Sequence, residues 1–455
     1  MTSNRQDITL SDICEIKHGF AFQGTFFSDT PTNDILLTPG NFKIGGGFKN
    51  DNYRYYAGEV LEEYVLEEGD LIISMTDLSK NSDTLGFPAL VPKAEGNRFL
   101  HNQRLGKVIL LNNRVDKNYL YYTFCTDEYR NEVLASATGT TVKHTSPKRI
   151  LSYRFSIPQL DEQRAIAHIL GTLDDKIELN RRMNETLEGI ARTLFKSWFI
   201  DFDPVRAKAE GRQPFGMDTE TAALFPDQFE DSELGEIPKG WTIEVIQDYF
   251  NIIGGTTPST KVEGYWGGAI PFATPKDLST ISSPYLLSTE RSITEEGLSQ
   301  IGSGLIPKGT FLLSSRAPIG YMAITNLDVS INQGIIAAAS KSILPASYIY
   351  FWCAFNMDYI KSVANGSTFL EVSKGSFKKL KMLIPPLKLI VMFNNVFDQL
   401  FSAVLNNDHE NRTLSNLRDR LLPKLINGDL RIIRTEGFLV DKDVLVSRET
   451  REAKL

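Results

Sequence analysis

Set against itself at an offset of 227 residues, the chain repeats a long seam, and that repeat limits what it can fold into. In the first copy Ile166, Leu170, Leu173, Ile177, Asn180, Asn184, Leu187, Ala191, Leu194 and Trp198 recur at alternating steps of four and three. The second copy reads Phe393, Phe397, Leu400, Val404, Asn407, Asn411, Leu414, Arg418, Leu421 and Leu425. Only Ala191 against Arg418 breaks the match in character. Such alternation is the seam of a coiled coil, and two copies in one chain allow it to pair with itself. An Asn at a seam position costs stability but fixes register and partner. Here the Asn pair is central in both helices, so an antiparallel pairing sets Asn180 against Asn411 and Asn184 against Asn407. A parallel pairing would also match Asn with Asn. The tandem arrangement, in which each helix follows its own globular unit, favours the antiparallel one.

A chain of 455 residues holds more than one ordinary core. Its apolar share of 42% can fill two domains, and its charged share of 23% is that of a water-soluble protein. No apolar run approaches the roughly 18–20 residues that span a bilayer. The first ten residues lack the basic and apolar regions of a secretory signal. No membrane association is expected. Cys14, Cys125 and Cys353 are widely spaced and form no CxxC pair, which suits free thiols in a reducing cytoplasm.

The net charge of −7 argues at first against a nucleic-acid partner. Residues 200–236, however, carry ten acids against Arg206, Lys208 and Arg212, which accounts for the whole imbalance. The remainder is neutral and free to present a basic face.

Short apolar segments near Asp70–Ser74 and Gly106–Leu110 read as strands between Gly- and Asn-rich turns, and Asn118 through Tyr129 reads as a helix. Beyond Pro158 the period turns helical, with Asp161 as N-cap. The echoes continue outside the seam. His101-Asn102-Gln103 returns as Ile331-Asn332-Gln333, Ala137-Thr138-Gly139-Thr140-Thr141 as Ala364-Asn365-Gly366-Ser367-Thr368, and Ile157-Pro158-Gln159-Leu160 as Ile384-Pro385-Pro386-Leu387. The expected division is a first unit over 1–160, a helix over 161–199, an exposed acidic linker over 200–237, a second unit over 238–385, a second helix over 386–428, and a loose charged tail over 429–455. Gly428 is a natural stop for that helix, and Pro423 should kink its last turn. The offset drifts along the echo, so the frameworks match while the loops differ. One scaffold presents two surfaces.

Catalytic signatures are missing. There is no GxxxxGK[ST] loop, no GxGxxG after a strand, and no HExxH or paired-ligand spacing among the five histidines. No Asn-Pro-Pro-Tyr or Asp-Pro-Pro-Tyr tetrapeptide occurs. The chain is therefore expected not to be an enzyme by itself and to hold no metal. Basic clusters do recur: Lys143, His144, Lys148 and Arg149 follow the Gly139 loop, and Lys374, Lys378, Lys379 and Lys381 follow the Gly366 loop. Cations beside Ser, Thr and Gly suit phosphate contact, although any one of them could equally be part of a solvated face. Base readout is expected from the loops that differ, Asn41–Tyr56 and Gly254–Gly268, with Thr257 and Lys261 the candidates in the second. A helix pair that merely joins two domains, as in an adaptor binding protein partners and no DNA, remains the alternative on the repeat alone. A self-contained DNA enzyme is a third reading.

Several stretches together carry a family resemblance: Ser197-Trp198-Phe199-Ile200-Asp201-Phe202-Asp203-Pro204-Val205-Arg206-Ala207-Lys208, Leu234-Gly235-Glu236-Ile237-Pro238-Lys239-Gly240-Trp241, Ile157-Pro158 leading to Asp161-Glu162-Gln163, and Leu421-Leu422-Pro423-Lys424-Leu425-Ile426-Asn427-Gly428. The sequence resembles a specificity (S) subunit of a type I restriction–modification enzyme over nearly its whole length. The resemblance implies an α+β fold with two similar target-recognition domains in a tandem pseudo-two-fold repeat, joined by two long antiparallel coiled-coil helices whose register rests on Asn180, Asn184, Asn407 and Asn411. It also implies reading of a split site on double-stranded DNA, one half per domain. Two modification subunits would dock on the helices and methylate adenine with S-adenosylmethionine. Restriction, or motor, subunits would use ATP and Mg. No cofactor is implied for this chain, and the setting would be the cytoplasm of a bacterium or archaeon. In one respect the sequence departs from the family: the Pro-x-Leu-x-Glu-Gln helix start becomes Pro385-Pro386-Leu387-Lys388-Leu389-Ile390, which lacks a cap and suggests a second helix that frays or begins late.

Overall fold

The computed structural model describes residues 5–432 apart from 78, 80–81, 141, 282, 342–343 and 367–369. The expected loose tail lies almost wholly outside these residues, as do Thr141, Ser367 and Thr368. The described residues gather into two units whose boundaries fall inside the long helices. One runs to Lys176 and resumes at Thr413; the other is Ile177–Arg412.

In the first unit the opening strand, Gln6–Thr9, pairs antiparallel with the closing strand, Arg154–Ile157. A four-stranded sheet follows the order Cys14–His18, Leu105–Leu110, Leu71–Ser74, Pro88–Leu90, all antiparallel. A five-stranded sheet orders Phe27–Ser28, Arg54–Tyr56, Asp34–Leu36, Arg98–Leu100 and Val65–Leu66. The helix expected over Asn118–Tyr129 is two helices, Lys117–Phe124 and Asp127–Ser136. Thr126 divides them because its hydroxyl caps the second by accepting from Tyr129 N. A five-residue helix, Pro147–Leu151, lies against strand Cys14–His18.

The second unit repeats this plan. Thr242–Val245 pairs antiparallel with Lys381–Ile384. Phe250–Gly254, Ile335–Ser340, Phe311–Ser314, Met322–Thr325 and Tyr285–Leu286 form a sheet in that order. Helix Lys374–Lys378 lies against Phe250–Gly254. The extra sheet differs, ordering Arg291–Ile293, Trp266–Ala273 and Ser330–Ile331.

Residues 200–237 are not an exposed linker. They form helices Asp203–Ala209 and Thr219–Ala223 and open the hairpin Phe229–Ser232/Gly235–Pro238. Val205, Phe225, Ile237 and Trp241 enter the core of the second unit. Acidic composition misleads here because the acids point outward from a segment anchored by a few scattered apolar side chains.

The central helix spans Leu160–Phe199 and the distal helix Leu387–Asn427. Asp161 lies in the first turn of the central helix and is not its cap; a negative charge is favourable there. Gln163, fully buried, ties that helix start down. Its Nε2 donates to Pro158 O at 2.9 Å and Arg114 O at 3.0 Å, while its Oε1 accepts from Asp116 N at 2.9 Å. The uncapped distal helix neither frays nor starts late: Leu389 and Ile390 are buried, so packing replaces the cap. It runs through Pro423 to Asn427, and Gly428 follows with φ 82°.

Within the second unit the helices run antiparallel, higher numbers on one meeting lower on the other. Asn180 Nδ2 donates to Asn411 Oδ1 at 3.0 Å and Glu410 Oε2 at 2.7 Å. Asn407 Nδ2 donates to Asn184 Oδ1 at 2.8 Å, and Asn184 Nδ2 to Asp408 Oδ1 at 2.9 Å. Phe195, Trp198, Phe199, Phe393, Phe397 and Phe401 continue the seam into an aromatic core with Tyr348 and Phe351. Within the first unit Ile166 and Leu170 pack in one core with Leu425 and Ile426. There Arg418, the one exception to the repeat, donates to Asp174 at 2.7 Å, and Asp174 also accepts from Tyr122 Oη at 2.7 Å.

One 18-residue window of the distal helix reaches a mean hydropathy of 1.2, enough by length and composition to cross a membrane. The expectation that no apolar run approaches that length is thus corrected for this window. The buried Leu389, Ile390, Phe393, Phe397 and Phe401 make this stretch a core helix of the second unit.

Glu188 lies one turn beyond Asn184, and its Oε1 is buried without a hydrogen-bond partner among the described residues. Burial, with help from Asp408 and Glu185, raises its pKa to about 7. A carboxyl raised in the fold stabilises below its unfolded value and loses that contribution as pH rises through the folded one. Glu188→Gln should therefore raise stability at pH 8 by about 1–2 kcal/mol and change it little at pH 4.5. Urea unfolding at the two pH values measures this, and an equal gain at both would mean that ionisation is not the cause.

Candidate nucleic-acid interface

The Asn-Gln echo marks a turn built alike in both units. The strand Cys14–His18 ends at Gly19, and Phe250–Gly254 ends at Gly255. A side chain at Gly19 would lie 2.1 Å from Asn102 O, and one at Gly255 would lie 2.0 Å from Asn332 O. Only glycine permits that approach. Phe20 N donates to His101 O at 2.8 Å and Thr256 N to Ile331 O at 3.1 Å, which fastens each turn to the chain that follows the glycine. His101 is buried and its Nε2 donates to Leu105 O at 3.0 Å. Burial first, with Lys107 and Lys17 adding to it, lowers its pKa to about 4, so it is neutral packing at pH 7.

The recurrent basic residues include those on two short helices that pack on the strands leading to these turns. Lys148 and Arg149 lie on the short helix against strand Cys14–His18, and Arg149 Nη1 donates to Thr138 Oγ1 at 3.1 Å. Lys143 and His144 form a two-residue strand pairing with Asp77 and Thr76. His144 Nδ1 is 3.1 Å from Thr76 Oγ1, and its backbone exchanges two hydrogen bonds with Thr138. In the second unit Lys374 and Lys378 lie on the short helix capped by Ser373, with Lys379 ending it. The Lys374 stem passes over Gly254, where an added side chain would meet its Cδ at 3.5 Å. Lys381 is different: it forms an ion pair with Glu233.

The variable loops divide into structural and available residues. Asn41 is fully buried; its Oδ1 accepts from Thr38 N at 2.9 Å and its Nδ2 donates to Asp51 O at 3.0 Å. It shapes its loop. Trp266 Nε1 donates to Ser259 O at 3.1 Å, and the Arg291 guanidinium covers its ring at 3.5 Å, so it too holds a loop together. Lys261 is exposed on the same loop. Thr257 Oγ1 donates to Gln333 Oε1, joining the loop to the Asn-Gln turn.

A concavity of ≈ 720 Å³ opens in the first unit. Its walls include Phe22, Phe27 and Phe42, the cations Lys49, Arg54 and Arg104, and the amides Asn102 and Gln103. The sequence shows Asn102-Gln103 as an echo but not as a lining. No local pattern joins residues 22–54 to 102–104; the sheet pairing of Asp34–Leu36 with Arg98–Leu100 does.

A family model for the type I restriction modification DNA specificity domain matches residues 3–189 and again 238–407. The chain belongs to that family. It is 30% identical over 349 residues to the type I restriction enzyme HindI specificity subunit of Haemophilus influenzae, covering 67% of this chain and 75% of that protein. It is 39% identical over 160 residues to the MjaIX specificity subunit of Methanocaldococcus jannaschii, covering 35% of this chain and 37% of that one. The crystal structure of a type I restriction–modification S subunit from M. genitalium has the same fold, with a TM-score of 0.53 at 14% identity over 95% of this chain and 98% of the other. Nothing in these matches favours a non-DNA adaptor.

If the recurrent cations contact phosphate, replacing both Lys378 and Lys379 with Ala should weaken DNA binding and flatten the slope of log K against log salt by about one per lost contact. Titration at several salt concentrations measures the slope, and an unchanged slope would place both lysines off the DNA.

Proposed function

We propose that this chain reads a discontinuous site on double-stranded DNA, one half per domain, and leaves catalysis to partner subunits. The observation that carries this reading is one scaffold built twice, with the same turn and basic helix in each copy and different loops around them. Cations beside the turns bind backbone phosphates and set orientation. The loops and turn residues read base edges in the major groove, where each base pair presents a distinct pattern.

The helix pair sets the unread gap. Its seam advances 32 residues from Ile166 to Trp198, about 48 Å at 1.5 Å per residue. That corresponds to about 14 base pairs at roughly 3.4 Å each. Two modification subunits dock on the helices and methylate adenine using S-adenosylmethionine, and restriction subunits consume ATP with Mg. The assembly works in the cytoplasm of a bacterium or archaeon.

Two exchanges test the division of labour, both read by mapping methylated adenines in DNA from cells expressing the complex. Replacing residues 10–160 with another recognition domain should change one half of the site and leave the other intact; a change in both halves would defeat the modular reading. Inserting one heptad in each long helix should widen the gap by about three base pairs, since seven residues add about 10 Å. A constant gap would mean that the helices do not set it.

A further inference from the structure

We infer that Gln103 and Gln333 are base-reading residues, one in each domain, and that their immediate neighbours make one turn read different bases. This rests on the DNA-reading function proposed above. Each turn is tied by its own hydrogen bonds. Asn102 Oδ1 accepts from Arg104 N and Asn332 Oδ1 from Gly334 N, both at 2.9 Å. The asparagine carbonyls accept from Leu105 N at 2.9 Å and Ile335 N at 3.1 Å. Both oxygens of each asparagine thus hold the turn, and the glycine contact at Gly19 or Gly255 prevents the turn from drifting. The glutamine that follows is exposed in both units. A long amide on a backbone this constrained is a recognition group whose placement costs little entropy on binding.

The neighbours differ in a way that changes the chemistry. Thr257 stands two residues beyond Gly255 and donates to Gln333 Oε1. One lone pair of the Gln333 carbonyl is therefore used within the protein, which favours its NH2 group as the contacting donor, suited to a base acceptor such as guanine O6 or N7 or thymine O4. The position two residues beyond Gly19 is Ala21, which has no hydroxyl. Gln103 keeps both its donor and its acceptor, the pair that matches adenine N7 and N6.

The next residue differs as well. Arg104 is exposed and, with Gln103, lines the concavity of the first unit. Its guanidinium suits guanine O6 and N7. At Gly334 no side chain fits, because a Cβ would lie 2.9 Å from Pro275 Cγ. The first domain thus reads adenine with a guanine beside it, while the second reads a single acceptor from the same place.

The test is selection from a randomised duplex library by the full chain assembled with its modification subunits, with sequencing of the bound DNA. Gln103→Ala should relax one position of the first half by roughly tenfold or more, Arg104→Ala should relax the adjacent position, and the second half should not change. Gln103→Glu presents only acceptors and should move the preference from adenine to cytosine, whose N4 donates; a misfolded protein cannot gain a new preference. Thr257→Val frees the Gln333 carbonyl and should move one position of the second half toward adenine, the position that Gln333→Ala relaxes. If the glutamine variants keep the wild-type sequence preference and lose affinity uniformly, the glutamines touch the backbone and the inference fails while the proposed function stands. If the wild-type complex selects no split sequence, the proposed function itself fails.

Discussion

Two asparagine pairs, each with one buried member, govern the helix pairing within the second unit. Asn180 and Asn184 are 0% and 3% exposed, each hydrogen-bonded to the asparagine opposite. Slipping one helix by a heptad would set Asn180 against Val404 and Asn184 against Leu400. Two buried amides would then lose their partners, at about 1–3 kcal/mol each. A wholly apolar seam would tolerate the slip. The polar centre therefore trades stability for a single register. Part of the cost is visible in Asp408, which accepts from Asn184 and Ser283 and whose pKa burial raises despite those bonds.

The first unit fixes its helix contact by other means. Arg418 occupies the one seam position where the repeat fails, and it pairs with Asp174, which Tyr122 also binds. The departure has a local reason: a charge-assisted bond joins both helices to helix Lys117–Phe124. Such bonds are directional, so they specify alignment as the asparagines do. Each unit thus has its own polar lock set among apolar neighbours.

The strand before each glycine links two kinds of contact. The basic helix packs on it, and the Asn-Gln turn is fastened just beyond its end. Groups suited to phosphate and groups suited to base edges are thereby placed by the same few backbone bonds. The loops around them vary without disturbing that placement. The first unit surrounds its turn with Phe22, Phe42 and Lys49, whereas the second has Thr257 and Pro275 there.

The sequence shows the tandem repeat, the two long helices and the central asparagines without any folded structure, because a four-and-three alternation is periodic and local. It also displayed the recurrent Lys and Arg clusters, since they follow the same Gly loop twice. Along the chain, residues 200–237 look like a linker, because Val205, Phe225 and Ile237 recur with no period and the surrounding acids dominate the composition. Three-dimensional packing brings Lys381 to Glu233 and Thr257 to Gln333, and it gives Asn41 and Trp266 their loop-shaping bonds. The Lys381 and Thr257 contacts join residues far apart in the chain, 148 positions in the first case and 76 in the second. No local pattern encodes such a meeting; it exists only once sheet pairing has brought the strand ends together.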